Sequence, residues 1–387
     1  MRIAYLSTYP PTPCGVAEYT RYLSESMLLT GNVEITIFSD RNYKENLEKD
    51  KTIEVIPCFD GGISDYDELI VAIKNYGPFD IIHVQHEYGI FPRSKDFLKL
   101  INLMKKYAKA IVMTPHTVLH YSHPQGAVMY QRRMLRMFDI VIAHSSLQEF
   151  EISMQGVPYS SVMKIPHGTK INSYVGKISR EQLVNHFGIE DKGEFLITTA
   201  GFLRYDKGLD VLVRALDIVR KSYDVRLVVV GIEQGKYGRG VMDTIKIDGK
   251  IPDYVSVIRR YPDREELEML LATSDLIVLP YKDRPRRYAV SGAFHLALGS
   301  FKPIIGTKVP RLIELYEIAP ELVVAPGKHE ELAAKIIDFI ENTDDYVTHL
   351  KMLKEYAIYT SWEKVALRHI NVYKSIIEKK ARKSFGW

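Results

Sequence analysis

A chain of 387 residues is longer than one ordinary hydrophobic core supports and fits two domains of comparable size. Hydrophobic residues at 46% and charged residues at 26% exclude bulk disorder, and a net charge of +4 left by 52 basic and 48 acidic side chains is too diffuse for a nucleic-acid binder. Two cysteines, Cys14 and Cys58, make no disulfide scaffold; with no apolar run of membrane-span length and a strand-like start at Met1–Tyr5, the expected location is cytoplasmic.

In chain order, residues 2–7 read as a short buried strand, followed by the rigid loop Tyr9–Gly15. A helix is expected from Gly15 through Leu29, with Glu18 in its first turn and Gly31 beyond its end. Strands are expected at 33–38, 52–57, 80–84, 110–114, 139–143 and 162–165, with helical patterns between most of them. That alternation predicts a doubly wound parallel sheet, whose ligands sit beyond the carboxyl ends of its strands. The segments after the strands are rich in polar and histidine residues: Pro10–Gly15, Gln85-His86-Glu87, Pro115-His116-Thr117, Ser145-Ser146 and Pro166-His167-Gly168.

Residues 170–192 read as a connection with a small helix near 181–187. A second alternation then begins: strand 195–200, a helix from about Lys207, strands 225–230 and 255–258, and helix 264–273. The stretch 275–306 supplies strand 276–279, a stop at Pro280-Tyr281, the arginine-bearing loop 282–287, a helix opened by Ser291-Gly292, and a further strand at 303–306. A glycine at a helix start beside a strand end is the geometry that presents free N–H groups to a phosphate. A last strand is expected at 321–325, and after Thr360-Ser361-Trp362-Glu363 a helix with Val365, Leu367, Ile370, Tyr373 and Ile376 near one face, ending in the basic tail 379–383. Gly231, Gly235, Gly238 and Gly240 lack the G-x-G-x-x-G spacing, which argues against a nicotinamide dehydrogenase.

The ordered pieces 11–19, 84–91, 114–119, 165–168, 201–208, 279–281 and 291–303 resemble, across nearly the whole chain, the GT-B glycosyltransferases, specifically glycosyltransferase family four (group 1). The resemblance implies an α/β GT-B fold of two Rossmann-like doubly wound domains facing a central cleft. The first, 1–172, would bind acceptor; the second, 173–360, would bind the donor; and the helix in 361–387 would cross back to the first. The reaction implied is transfer of a mannosyl or glucosyl group from a nucleotide diphosphate sugar, GDP-mannose or UDP-glucose, to a saccharide or lipid-linked acceptor, without metal or other cofactor and with retention.

By position, Arg204 and Lys207 match the family's diphosphate-binding pair, which stabilises charge developing on the leaving group, and His116 its active-site histidine. Gly15, Gly201, Glu233, Tyr281, Ser291 and Gly292 join Arg204 and Lys207 as donor-binding candidates. His86, Glu87 and His167 are acceptor-binding candidates, His86 and Glu87 also standing as general-base candidates and His167 as a turn residue. Ser145 reads as a cleft residue or a helix cap, and Arg284, Arg286 and Arg287 as phosphate ligands or a solvated loop. The basic tail offers a peripheral contact to anionic lipid at the inner membrane face. One departure stands out: where many relatives carry two glutamates, this chain has Tyr288 and Leu296, resembling a subgroup with Ser-Gly in this place. A sugar phosphorylase, a nucleotide-sugar epimerase or a catalytically lapsed sugar-nucleotide-binding subunit are the competing readings.

Overall fold

Strands that are apolar on both faces need helices above and below them, and this chain meets that need twice. The computed structural model describes residues 1–41, 53–189, 192–260, 263–282 and 285–384. In the first half, strands β1 (Arg2–Leu6), β2 (Glu34–Asp40), β3 (Ile53–Phe59), β4 (Phe79–His86), β5 (Ala108–Pro115), β6 (Val118–Leu119), β7 (Ile140–Ala143) and β8 (Val162–Lys164) alternate with helices α1 (Gly15–Thr30), α2 (Asp67–Tyr76), α3 (Lys95–Met104), α4 (Gln125–Leu135) and α5 (Ser146–Met154). Seven of these strands form one parallel sheet in the order β3-β2-β1-β4-β5-β7-β8. Thr52 of the expected strand 52–57, and Arg284, lie outside the described residues.

The second half begins with α6 (Arg180–Phe187), closed at its start by a Ser179–Gln182 capping box and at its end by left-handed Gly188. It continues with β9 (Phe195–Ala200), α7 (Leu209–Val219), β10 (Val225–Val230), α8 (Gly235–Gly238), β11 (Val255–Ile258), α9 (Arg264–Thr273) and β12 (Leu276–Leu279). After the two-residue strand β13 (Arg287–Tyr288) come α10 (Gly292–Gly299), β14 (Ile304–Thr307), α11 (Ile313–Ile318), β15 (Val323–Val324), α12 (His329–Glu341), α13 (Val347–Tyr359) and the 23-residue α14 (Trp362–Ser384). The second sheet is parallel throughout, in the order β11-β10-β9-β12-β14-β15. Its central strands are covered on both sides: Leu227 and Val229 of β10 pack into one core, Val228 and Val230 into another. Each such side chain contributes about 1.5–3 kcal/mol by leaving water.

Two compact units result, one of Met1–Gly168, Arg286–Val290 and Thr360–Trp387, the other of Thr169–Pro285 and Ser291–Tyr359. The boundaries differ from the expected 172/173 and 360/361, and residues 286–290, placed by sequence in the second domain, belong to the first. The reason is strand pairing: Tyr288 pairs with Val118 and Arg287 with Leu119 of β6, antiparallel.

The terminal helix α14 packs on α1 in the first unit, burying Val365, Ala366, Ile370 and Tyr373 beside Tyr19, Tyr22 and Met27. The Ile370 Cδ1 atom comes within 2.9 Å of where a side chain on Gly31 would start, so any larger residue there would displace the tip of Ile370. Leu367, expected on the buried face, is exposed, its place taken by Ala366. The basic tail is not a separate end: α14 runs on through it, and the Lys380 ammonium lies 2.7 Å from the Asp139 carboxylate. Among the described residues no helix is long and apolar enough to cross a membrane.

Candidate donor and sugar sites

In the second sheet, successive strands run outward from β9 to β11 on one side and from β12 to β15 on the other. A crevice therefore opens at the carboxyl ends of β9 and β12, where this fold type binds ligands. Two glycines allow the loops there to close up. Gly231, after β10, has φ 153°, and a Cβ on it would lie 1.8 Å from the Gly201 carbonyl oxygen. Gly208 has φ 67°, and a Cβ on it would lie 1.9 Å from the Pro280 carbonyl oxygen. The turn carrying Arg204 and Lys207 is thereby held against the end of β12, and the Lys282 N–H fastens it by donating to the Asp206 carbonyl at 2.9 Å.

Gly201, Arg204, Lys207 and Tyr281 line a small pocket at this point. The Lys207 ammonium stands 3.7 Å from the centroid of the Tyr281 ring, a cation–π contact. The Tyr281 and Ser291 hydroxyls are 3.0 Å apart, and the Tyr281 carbonyl accepts from the Thr307 hydroxyl at 2.6 Å. Burial raises the Tyr281 pKa, so the phenol keeps its proton. Ser291 caps α10 by accepting the Phe294 N–H at 3.2 Å, and Gly292 is that helix's first residue. Arg204 is bound through Nε to Asp206 at 3.1 Å and through Nη1 to Gln234 at 3.0 Å. Two cations, glycine-lined backbone and a capped helix start are the ingredients of an anion site.

The middle of α10 is pinned by a buried network that sequence reasoning missed. His295 Nδ1 meets Thr169 at 2.8 Å, His295 Nε2 meets Glu314 at 3.1 Å, and the Tyr356 hydroxyl donates to Glu314 at 2.5 Å. Glu233, expected at the nucleotide, pairs with Arg259 at 3.0 Å, beside main-chain bonds joining Leu203 to Ile232 and Gln234.

In the first unit the equivalent edge is built by β1, β4 and β5. Gly15 opens α1 there, and no atom lies within 4 Å of a Cβ built on it, so its absence of a side chain leaves open backbone rather than relieving a clash. His116 follows β5; its N–H donates to the His86 carbonyl at 2.9 Å and its Nε2 lies 2.9 Å from the Gln85 amide oxygen. That acceptor places the imidazole proton on Nε2. Burial, then His144 and His86, hold the His116 pKa well below the ordinary value, so the ring is neutral at pH 7. Tyr19 sits at the centre of this edge, its ring 4.8 Å from His116, 5.1 Å from His144 and from His167, and 5.0 Å from Trp362.

The remaining expected residues make the following contacts. His86 is fully buried between Tyr88 and Phe97 with a pKa lowered by burial to about 3. It is part of β4, paired with Pro115, rather than of a loop, and its ring is neutral at neutral pH. Glu87 is half-buried and receives the Thr117 hydroxyl at 2.7 Å and the Tyr88 N–H at 3.1 Å. His167 bonds the Gly168 carbonyl at 2.8 Å and packs on Trp362. Ser145 caps α5 by accepting the Gln148 N–H. Cys14 stands at the start of α1, and the buried Cys58 thiol is pushed up to about 12 by desolvation. Arg286 and Arg287 are exposed in the first unit, close enough to His123 to help burial lower its pKa. Tyr288 likewise lies in the first unit, its carbonyl bonded to Gln148, whereas Leu296 is in α10.

Residues 194–342 match the family described as glycosyl transferases group 1. An uncharacterized glycosyltransferase of Methanocaldococcus jannaschii is 22% identical over 250 residues, a match spanning 63% of this chain and 61% of that protein. Among solved structures, sucrose-phosphate synthase from Thermosynechococcus elongatus superposes with a TM-score of 0.77 at 19% identity, covering 98% of this chain and 100% of its own. Anabaena HepE in complex with UDP and glucose gives 0.74 at 18% identity over 97% and 100%. A glycosyltransferase from Rickettsia africae gives 0.75 at 18% identity over 97% and 98%.

Proposed function

We propose that this chain, GT-B in fold and matching the group 1 glycosyltransferases over residues 194–342, transfers a hexosyl group from a nucleotide diphosphate sugar to a saccharide or lipid-linked acceptor. The observation that carries the reading is the convergence of Arg204 and Lys207 on a glycine-lined pocket at the carboxyl ends of β9 and β12. There the two cations would take the donor's diphosphate, with N–H groups of the Gly201 loop and the start of α10 as further donors. As the glycosidic bond breaks, charge grows on the leaving diphosphate, and cations already fixed in place stabilise it without reorganising. Neutral His116 would contact the transferred sugar as a hydrogen-bonding group. Anabaena HepE is described with UDP-glucose, which makes UDP-glucose the first donor to test, ahead of GDP-mannose.

The test is thermal stabilisation by UDP, GDP, UDP-glucose and GDP-mannose, because a ligand that binds only the folded state raises the melting temperature. A selective shift is expected with one base, weakened at least about tenfold in affinity by Arg204→Ala or Lys207→Ala. No shift with any of the four sinks the donor reading.

A further inference from the structure

We infer that Arg311 is a third cationic contact for the donor diphosphate, held in position by Asp206. The inference rests on the donor reading above and extends it to a residue 105 positions from Asp206 in the chain. Arg311 sits on the turn Pro310–Leu312 that follows β14. Since β14 lies next to β12 in the sheet, that turn stands at the same carboxyl edge as Arg204 and Lys207.

The Asp206 carboxylate joins the two arginines. One oxygen lies 3.0 Å from Arg311 Nη1 and 3.2 Å from Arg204 Nη2; the other lies 3.1 Å from Arg204 Nε. The side chain of Asp206 is 11% exposed and those of both arginines 18%. Two guanidinium groups are thus drawn together in a poorly hydrated place around one carboxylate, with the Lys207 ammonium beside them over Tyr281. Two arginines thus share the Asp206 carboxylate, and a nucleoside diphosphate sugar, which brings about two negative charges on two phosphates, is the kind of anion that guanidinium groups bind in bidentate fashion.

The other nearby lysines are engaged elsewhere: Lys282 is paired with Asp210 at 2.8 Å, and Lys308 lies over the Tyr316 ring. Arg311 has the geometry they lack. Its planar fork carries five N–H donors, and Asp206 engages the guanidinium from one side. When the bond from the sugar carbon to the diphosphate oxygen breaks, its electron pair stays on that oxygen and the diphosphate gains one negative charge. A third fixed cation favours that state over the bound donor.

The experiment is calorimetric titration of the full chain with UDP, UMP, GDP and GMP, using wild type, Arg204→Ala, Arg311→Ala and Arg311→Lys, with melting curves for each. For the base that binds, Arg311→Ala should weaken the diphosphate about tenfold and the monophosphate by less than about threefold, with Arg311→Lys intermediate. Diphosphate affinity within about twofold of wild type in Arg311→Ala, while Arg204→Ala loses it, overturns the inference and leaves the donor reading standing. Equal loss of diphosphate and monophosphate together with a lowered melting temperature also overturns it, since Arg311 would then only brace the fold. Wild type that binds none of the four nucleotides, or that binds equally well after Arg204→Ala, overturns the donor reading itself.

Discussion

Acidification from pH 7 to pH 5 should destabilise the first unit steeply, because it buries several histidines in the neutral form. Burial holds His86 and His369 at pKa values of about 3, and holds His83 and His116 well below the ordinary value of 6.5. In the unfolded chain all four would titrate near 6.5. Between the folded and unfolded values the unfolded state binds more protons, so stability rises with pH; it is complete above about pH 6.5 and lost as pH falls below it. Each histidine contributes a slope approaching about 1.4 kcal/mol per pH unit. His86 and His369 alone therefore remove about 2.5 kcal/mol between pH 6 and pH 5, and His83 and His116 act in the same direction. Carboxylates act in a lower window: Glu266 and Asp338, each lowered to about 2 by hydrogen bonds, lose their contribution only below about pH 4.5. Trp362, buried against Tyr19 and Tyr22, makes fluorescence a report on this unit. Urea unfolding followed by that signal at pH 7, 6 and 5 should give a falling midpoint. In His86→Leu, which keeps an apolar side chain among Tyr88 and Phe97, the slope should drop by about 1.2 kcal/mol per pH unit. A stability that is level from pH 7 to pH 5, or an unchanged slope in the variant, would refute the reasoning.

Two glycine substitutions test how the sites are built. Gly208→Ala adds a left-handed penalty of about 1–2 kcal/mol and puts a methyl group onto the Pro280 carbonyl; chemical unfolding should show a loss of at least about 2 kcal/mol, and calorimetry a loss of nucleotide binding. Gly168→Ala places a Cβ 2.1 Å from the Trp362 indole. It should cost about 3 kcal/mol and shift the tryptophan emission to longer wavelength as the ring is pushed out; unchanged emission and midpoint would mean that the chain yields there at no cost.

The sequence by itself determined the alternation of strands and helices, because apolar runs and helical periods are local properties: residues 195–200, 225–230, 255–258 and 276–279 are strands in the structure with the bounds that pattern sets. It also determined which segments follow the strands, and hence that Arg204, Lys207, Gly201, Tyr281 and Ser291 would gather at one edge once the sheet was parallel. Strand parity could not reveal that His86 is enclosed. A parallel strand is apolar on both faces, so β4 running two residues past its expected end looks like a polar loop. Nor could local pattern reveal that Arg287 and Tyr288 pair with β6, or that Asp206 unites Arg204 with Arg311. Those contacts depend on the order in which strands lie beside one another, and that order is set by packing between segments far apart in the chain.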